Sequence, residues 1–286
     1  MDKETNFVEL NNCSRIWAIG SIHSNNESFN SIKKYISKNF RDNDKIIFLG
    51  NVIGLGEYSK ETITNVINLR FELMSKFKLK PKEVIFLRGA QEEMFNKILQ
   101  LQIAPNPIEI INWIFEHGVD KTLESYGFSQ EEVLSVASSG TVSISKWTSK
   151  LNQTIIQNEG HKEYFLNLKH AAYSSSKKIL FVNRGVDITR PLSAQNDCFW
   201  WGYQNFSKIN KPYNTYIRIV RGYQSNKDNK LENAKNNIVC TLFKQPLSNK
   251  TIYAGIFAEN GDILELFESK WSNSHYCTYK YVWLHI

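Results

Sequence analysis

The chain has 286 residues, of which 42% are hydrophobic, 13% aromatic and 22% charged, and it carries a formal net charge of +7. That balance excludes a disordered or fibrous chain and provides enough apolar residues for a sizeable core. The longest apolar runs, Ile46–Leu49, Val84–Leu87 and Ile179–Val182, fall far short of the ~20 residues a membrane helix needs. The charged N-terminus is not followed by the apolar core of a secretory signal, so the expected location is cytoplasmic. Cys13, Cys198, Cys240 and Cys277 have neither the spacing of a zinc ribbon nor that of a disulfide framework. The lysines come in small groups, such as Lys33-Lys34, Lys76 to Lys82 and Lys177-Lys178, mixed with acids, a pattern of solvated surface more than of a nucleic-acid face.

In chain order, Arg15–Ile19 reads as a strand ending at Gly20, followed by a helix near Glu27–Lys38 with Phe29, Ile32, Tyr35 and Ile36 on one face. The arrangement repeats with a strand at Lys45–Leu49, a glycine-bearing loop and a helix near Lys60–Lys78, whose Ile63, Val66, Ile67, Phe71 and Met74 recur at helical spacing. It repeats again with a strand at Glu83–Leu87 and a helix near Glu92–Gln102. Three such units predict a parallel or mixed sheet with helices on its faces. The loops Ser21–Asn25, Asn51–Gly56 and Ala90–Glu92 should then converge at the carboxyl ends of the strands, where ligands gather in such sheets.

From about 105 to 169 the pattern is helix after helix, a helical cap insertion. Lys178–Val182, Tyr216–Val220, Ile238–Leu242, Thr251–Phe257 and Asp262–Glu268 then read as strands of a second sheet, with Asn260-Gly261 as a hairpin turn. A tail at about 270–286 alternates Tyr279, Tyr281 and Trp283 against Thr278, Lys280 and Val282, which suits a half-buried strand. No linker composition divides the chain, so 1–286 is expected to form a single domain.

The three loops read Gly20-Ser21-Ile22-His23-Ser24, Gly50-Asn51-Val52-Ile53-Gly54-Leu55-Gly56 and Gly89-Ala90-Gln91-Glu92. Together with the strands before them, they resemble the bacterial serine/threonine protein phosphatases and diadenosine tetraphosphate hydrolases of the calcineurin-like metallophosphoesterase family. In that family the loops read Gly-Asp-x-His-Gly, Gly-Asp-x-x-Asp-Arg-Gly and Gly-Asn-His-Glu. His117–Gly127 is similar to a segment of the family's cap, Leu180–Asp187 to its Phe-Val-His-Ala-Gly strand, and Val220–Gln224 to Val-His-Gly-His-Thr. The resemblance implies an α/β (α+β sandwich) fold, with a two-sheet core flanked by helices and a helical cap.

The resemblance also implies two divalent metals such as manganese, which activate water and clamp the phosphate. Carried over position by position, however, the family's six ligands are Ser21, His23, Asn51, Ala90, Asn183 and Tyr223, so His23 alone is retained. Gln91 stands for the acid that protonates the leaving group, and Leu55 for the arginine that contacts the phosphate. Neutral side chains repay the dehydration of a hard dication poorly, and no cofactor is expected. The sequence therefore predicts a pseudophosphatase: the fold without the hydrolysis, acting by binding as a regulator, scaffold or structural subunit of a larger assembly.

Three further readings accompany this one. His23 with Glu92 or Asp187 would hold a single metal in a rearranged active site. Arg184 and Arg221, with Arg88 as a third candidate, would hold a phosphate-like anion without metal, because guanidinium forks pair with phosphate. A nucleic-acid-binding role built on the basic surface is the weakest. Trp200, Trp201 and Tyr203 lie where the family has a segment near the substrate, and are expected to be core.

Overall fold

In the computed structural model, residues 6–195, 197–202, 206, 209–223, 238–243, 251–272 and 275–281 are described. Tyr203, Gln224, Val282 and Trp283 lie outside them, as do the side chains of Tyr279 and Tyr281.

The chain opens with β1 (Phe7–Leu10) and β2 (Ile16–Ile19), then alternates α1 (Asn26–Asn39), β3 (Lys45–Phe48), α2 (Ser59–Phe77), β4 (Val84–Phe86) and α3 (Ala90–Leu99). Five helices follow: α4 (Pro107–Glu116), α5 (Asp120–Ser125), α6 (Gln130–Ser138), α7 (Thr141–Ile156) and α8 (His161–Leu166). Then come β5 (Ala171–Ser174), β6 (Ile179–Val182), α9 (Cys198–Trp201), β7 (Arg218–Arg221), β8 (Val239–Thr241), β9 (Tyr253–Phe257), β10 (Ile263–Ser272) and β11 (His275–Tyr281).

These strands form a six-stranded sheet, ordered β11-β10-β9-β2-β3-β4, and a five-stranded sheet, ordered β1-β5-β6-β7-β8. β2, β3 and β4 run parallel and are buried on both faces, which explains their unbroken apolar sequences. Trp17, Ile19, Ile46, Phe48, Val84 and Phe86 face the helices, while Ile16, Ala18, Ile47, Leu49, Ile85 and Leu87 join Ile179, Phe181 and Val220 between the sheets. A third cluster, with Val182, Phe199, Trp200 and Ile219, covers the other face of the five-stranded sheet.

The expected β-loop-α units are present, and α1 starts where its sequence says it should: the Asn25 side chain accepts from Ser28 N, and Phe29, Ile32 and Ile36 are buried. Three details differ from the sequence reading. β9 and β10 belong to the first sheet, not the second; β9 pairs antiparallel with β2, Ile16 opposite Phe257. A parallel series that grows only from β2 toward β4 leaves the other edge of β2 open, and β9 covers it.

The second sheet is completed instead by β1 and β5, which the sequence reading missed. The Ala-Ala-Tyr-Ser of β5 has little strand propensity of its own, and the burial of β1 comes mostly from its neighbours. Finally, Phe71 is 55% exposed, because the buried stripe of α2 runs through Thr62, Val66, Leu69 and Leu73. The Asn260-Gly261 turn joins β9 to β10 as expected, with Gly261 N bonded to Ala258 O.

Candidate functional site

The loops after β2, β3, β4, β6 and β7 meet at one edge of the sandwich. Ile22 N and His23 N both donate to Asn51 O, and Ser24 N donates to Val52 O, so the first loop lies against the second. Ser21 N donates to Gly222 O, and the amides of Gly222 and Tyr223 donate to Asn183 O, which brings in the second sheet. Close approach explains two glycines. A Cβ at Gly89 would overlap the Asn51 backbone nitrogen and side-chain oxygen. Gly54 has a φ of +85°, in the region glycine favours, and a Cβ there would overlap the Gln91 side chain.

Side chains then tie the loops together at the positions that the resemblance assigns to metal ligands. Asn51 is buried with a φ of +53°. Its Nδ2 donates to Ser21 Oγ (3.2 Å) and its Oδ1 accepts from Gln91 N (3.1 Å). Ser21 Oγ donates to Gly222 O (2.8 Å), and Asn183 Nδ2 donates to Leu49 O (2.6 Å), linking the two sheets. Gln91 Nε2 donates to His117 O (3.0 Å), reaching the segment after α4. Ala90 is the first residue of α3 and offers no donor atom.

The largest tie is Glu92. Its carboxylate is 1% exposed and accepts from Asn51 N (2.8 Å), Val52 N (2.7 Å) and Gly89 N (3.0 Å), with Tyr164 OH from α8 at 3.2 Å. Burial raises its pKa, opposed by the backbone amides. The sequence reading offered Glu92 as a partner for His23; the structure gives its oxygens to backbone amides instead. Asp187 is likewise engaged, by Thr189 N and Oγ1 and by Arg190 (3.2 Å), and the Thr189 bonds hold its pKa below the usual range.

His23 stands apart. It is 7% exposed with a φ of +49°, and its ring packs edge to face against Tyr223 (5.6 Å) and Phe243 (6.1 Å), which also touch each other (4.7 Å). Neither ring nitrogen makes a hydrogen bond of ordinary length and angle among the described residues. Burial lowers its pKa to about 4, with the Ile53 backbone working the other way, so the imidazole is neutral at pH 7.

The three arginines each have their own described neighbours. Arg88 pairs with Glu93 (3.0 Å) and lies over Trp200. The Arg221 side chain is 1% exposed; its Nε donates to Thr241 Oγ1 (2.8 Å), and its guanidinium lies over the Phe206 ring (4.7 Å). Arg184 lies over Tyr223 (5.8 Å), the tyrosine that also touches His23. Leu55 has a φ of +62°, is 41% exposed and packs on Gly118. Trp200 is core, as expected, while Trp201 is half-buried against Trp113 (5.6 Å).

Sequence reasoning missed Tyr164, Phe206 and Phe243, each of which reaches the site from a distant segment without any motif. It saw Glu92 but not its role. A carboxylate three residues into a loop-to-helix turn, able to reach back to Gly89 N, was the available signal.

The chemistry of this donor set does not fit two divalent metals. Ser21, Asn51 and Asn183 are neutral and hydrogen-bonded through the atoms described above, Ala90 has nothing to offer, and the nearby carboxylate of Glu92 is spent on amides. Among the described residues, no three His, Cys, Asp or Glu side chains group as a metal site would require.

No protein-family model and no curated protein matches the sequence. Solved structures do. The chain is similar to the crystal structure of a presumed diadenosine tetraphosphatase, with a TM-score of 0.50 and 13% identity over 94% of this chain and 99% of that one. It is also similar to a serine/threonine phosphatase from Saccharomyces cerevisiae (TM-score 0.48, 13% identity, covering 97% and 84%). A metallophosphoesterase from Sphaerobacter thermophilus is a further likeness (0.44, 15%, 94% and 88%). Such identities speak of fold alone, and the fold is that of the calcineurin-like metallophosphoesterases. No helix among the described residues is long and apolar enough to cross a membrane.

Proposed function

We propose that this protein is a pseudophosphatase: a metallophosphoesterase fold that does not hydrolyse phosphoesters and works by binding, as a regulatory, scaffolding or structural subunit. One observation carries the reading. The positions where relatives of this fold would place metal ligands hold neutral side chains that are hydrogen-bonded to one another and to backbone, as in Asn51 to Ser21 and Gln91, and Asn183 to Leu49. A metal at Asn51 Oδ1 would have to displace the Gln91 amide, and around it would find only neutral donors such as Asn183 Oδ1 and one imidazole.

The rearranged single-metal reading has less support, because Glu92 and Asp187 are both committed elsewhere. General acid chemistry is also poorly served: Gln91 has no titratable proton, and the low pKa of His23 leaves it without one near pH 7. Purified protein supplied with manganese is expected to turn over p-nitrophenyl phosphate no faster than a protein-free control. Manganese-dependent turnover that disappears in His23→Ala would sink the reading.

A further inference from the structure

We propose that the exposed face of α1 is a docking surface for a partner-protein segment rich in aspartate and glutamate. This surface is separate from the loop edge, and the proposal stands whether or not that edge is catalytic. α1 buries Phe29, Ile32 and Ile36. On its other side Asn30, Lys33, Lys34, Ser37 and Lys38 follow one another at spacings of three and four residues, which places them on one ridge. The same five residues line a shallow, open depression on the surface.

Charge decides the kind of occupant. Lys45, Lys97, Lys121, Lys150 and Lys280 each pair with an acid, whereas Lys33, Lys34 and Lys38 have no ion-pair partner among the described residues. Two acids fall toward this face, Glu27 seven residues before Lys34 on α1 and Glu72 four residues before Lys76 on α2, so the lysines outnumber them. Lys76 of α2 donates to Ser37 O (3.4 Å), bringing a fourth ammonium to the ridge. On β10, the Glu265 carboxylate is taken up by Tyr35 OH and by Lys280 (2.8 Å). Four cations with few local acids make a positive patch that selects an acidic partner.

The lining also argues for carboxylates over nucleic acid. It contains no aromatic ring on which a base could stack and no arginine to grip phosphate with two parallel bonds. Lysine ammoniums, with Asn30 and Ser37 beside them, suit single carboxylates spaced along an extended chain or helix. The ridge carries no exposed apolar side chain to enter a lipid surface.

The test is fluorescence anisotropy with a fluorescein-labelled, glutamate-rich peptide as the probe and a labelled oligouridylate as its competitor class. Binding of the peptide at low salt is expected to weaken about tenfold or more in Lys33→Glu/Lys34→Glu/Lys38→Glu, and to persist in Lys146→Glu/Lys177→Glu/Lys178→Glu, which has the same net charge. The alanine triple variant at 33, 34 and 38 should show an intermediate loss, and circular dichroism checks that each variant is folded. Equal loss in both glutamate variants, no loss in either, no peptide binding at all, or preference for the oligouridylate would each overturn the proposal.

Discussion

Glu92→Ala is expected to be the most damaging single substitution at the loop edge. The carboxylate is buried and accepts from the amides of Asn51, Val52 and Gly89 and from Tyr164 OH, so removing it strands several buried donors. Leaving one buried donor unsatisfied costs about 1–3 kcal/mol, and the losses here share one site, so a total of roughly 3–5 kcal/mol is expected. For a chain of this length that corresponds to a fall in melting temperature of about 5–8 °C. Glu92→Gln should fall between the two, since it keeps one carbonyl oxygen but turns an NH2 group toward N–H donors. Thermal unfolding followed by circular dichroism measures both, and an alanine variant melting within about 2 °C of the wild type would contradict the assigned role.

Acid is the second large lever. His23, His161 and His170 each have a pKa lowered to about 4, in every case by burial first; the charges of Lys60 for His161, and of Arg88 and Lys169 for His170, add to it. His161 is 1% exposed and is held at both ring nitrogens, Nδ1 by Tyr126 OH (2.6 Å) and Nε2 by Thr64 Oγ1 (3.0 Å). A protonated ring would need to donate at both nitrogens, which breaks the present arrangement of one donor and one acceptor unless Tyr126 or Thr64 turns its own hydrogen away.

Below pH 6.5 the unfolded chain protonates these imidazoles while the folded chain does not. Stability is therefore fully present above about pH 6.5, is lost as pH falls toward about 4, and levels off below that, where both states are protonated. Each buried ring contributes at most about 1.4 kcal/mol per pH unit inside that window. Glu92 acts in the opposite sense: its raised pKa means that the fold holds the proton more tightly, so its contribution declines as pH rises through the carboxylate range. The melting temperature is expected to drop steeply between pH 6.5 and 4, with a clearly shallower slope in His161→Gln. An unchanged slope in that variant would show that His161 does not carry the acid sensitivity.

How much of this was legible in the sequence differs between the scaffold and the site. Strands such as Ile46–Leu49 and the glycine at the end of each could be read because a doubly buried strand must be apolar throughout, and because Gly54 and Gly89 stand where no Cβ fits. Strand partners could not be read. The pairing of β9 with β2 is set by which sheet edge remains open, a fact about the assembled molecule, and β5 is a strand because β1 and β6 flank it.

At the site, the substitutions Ser21, Asn51 and Asn183 were visible one by one, but not that Asn51 and Ser21 bond to each other, thirty residues apart. The committed roles of Glu92, Asp187 and Arg88 depend on side-chain direction, which no spacing encodes. The same is true of the ridge on α1: Lys33-Lys34 looked like ordinary solvated surface until the helix aligned Lys38 with them and Lys76 came alongside.

Hydrogen bonds among Ser21, Asn51, Gln91 and Glu92 hold the loop edge at the positions where the resemblance implies metal. The direct measurement is the melting temperature, together with the bound-metal content, of protein stripped with a chelator and then incubated with excess manganese and re-purified. The same melting temperature is expected before and after stripping, with no stoichiometric manganese retained. Retention of one or two manganese ions per chain, with a rise in melting temperature that is lost in His23→Ala, would contradict it.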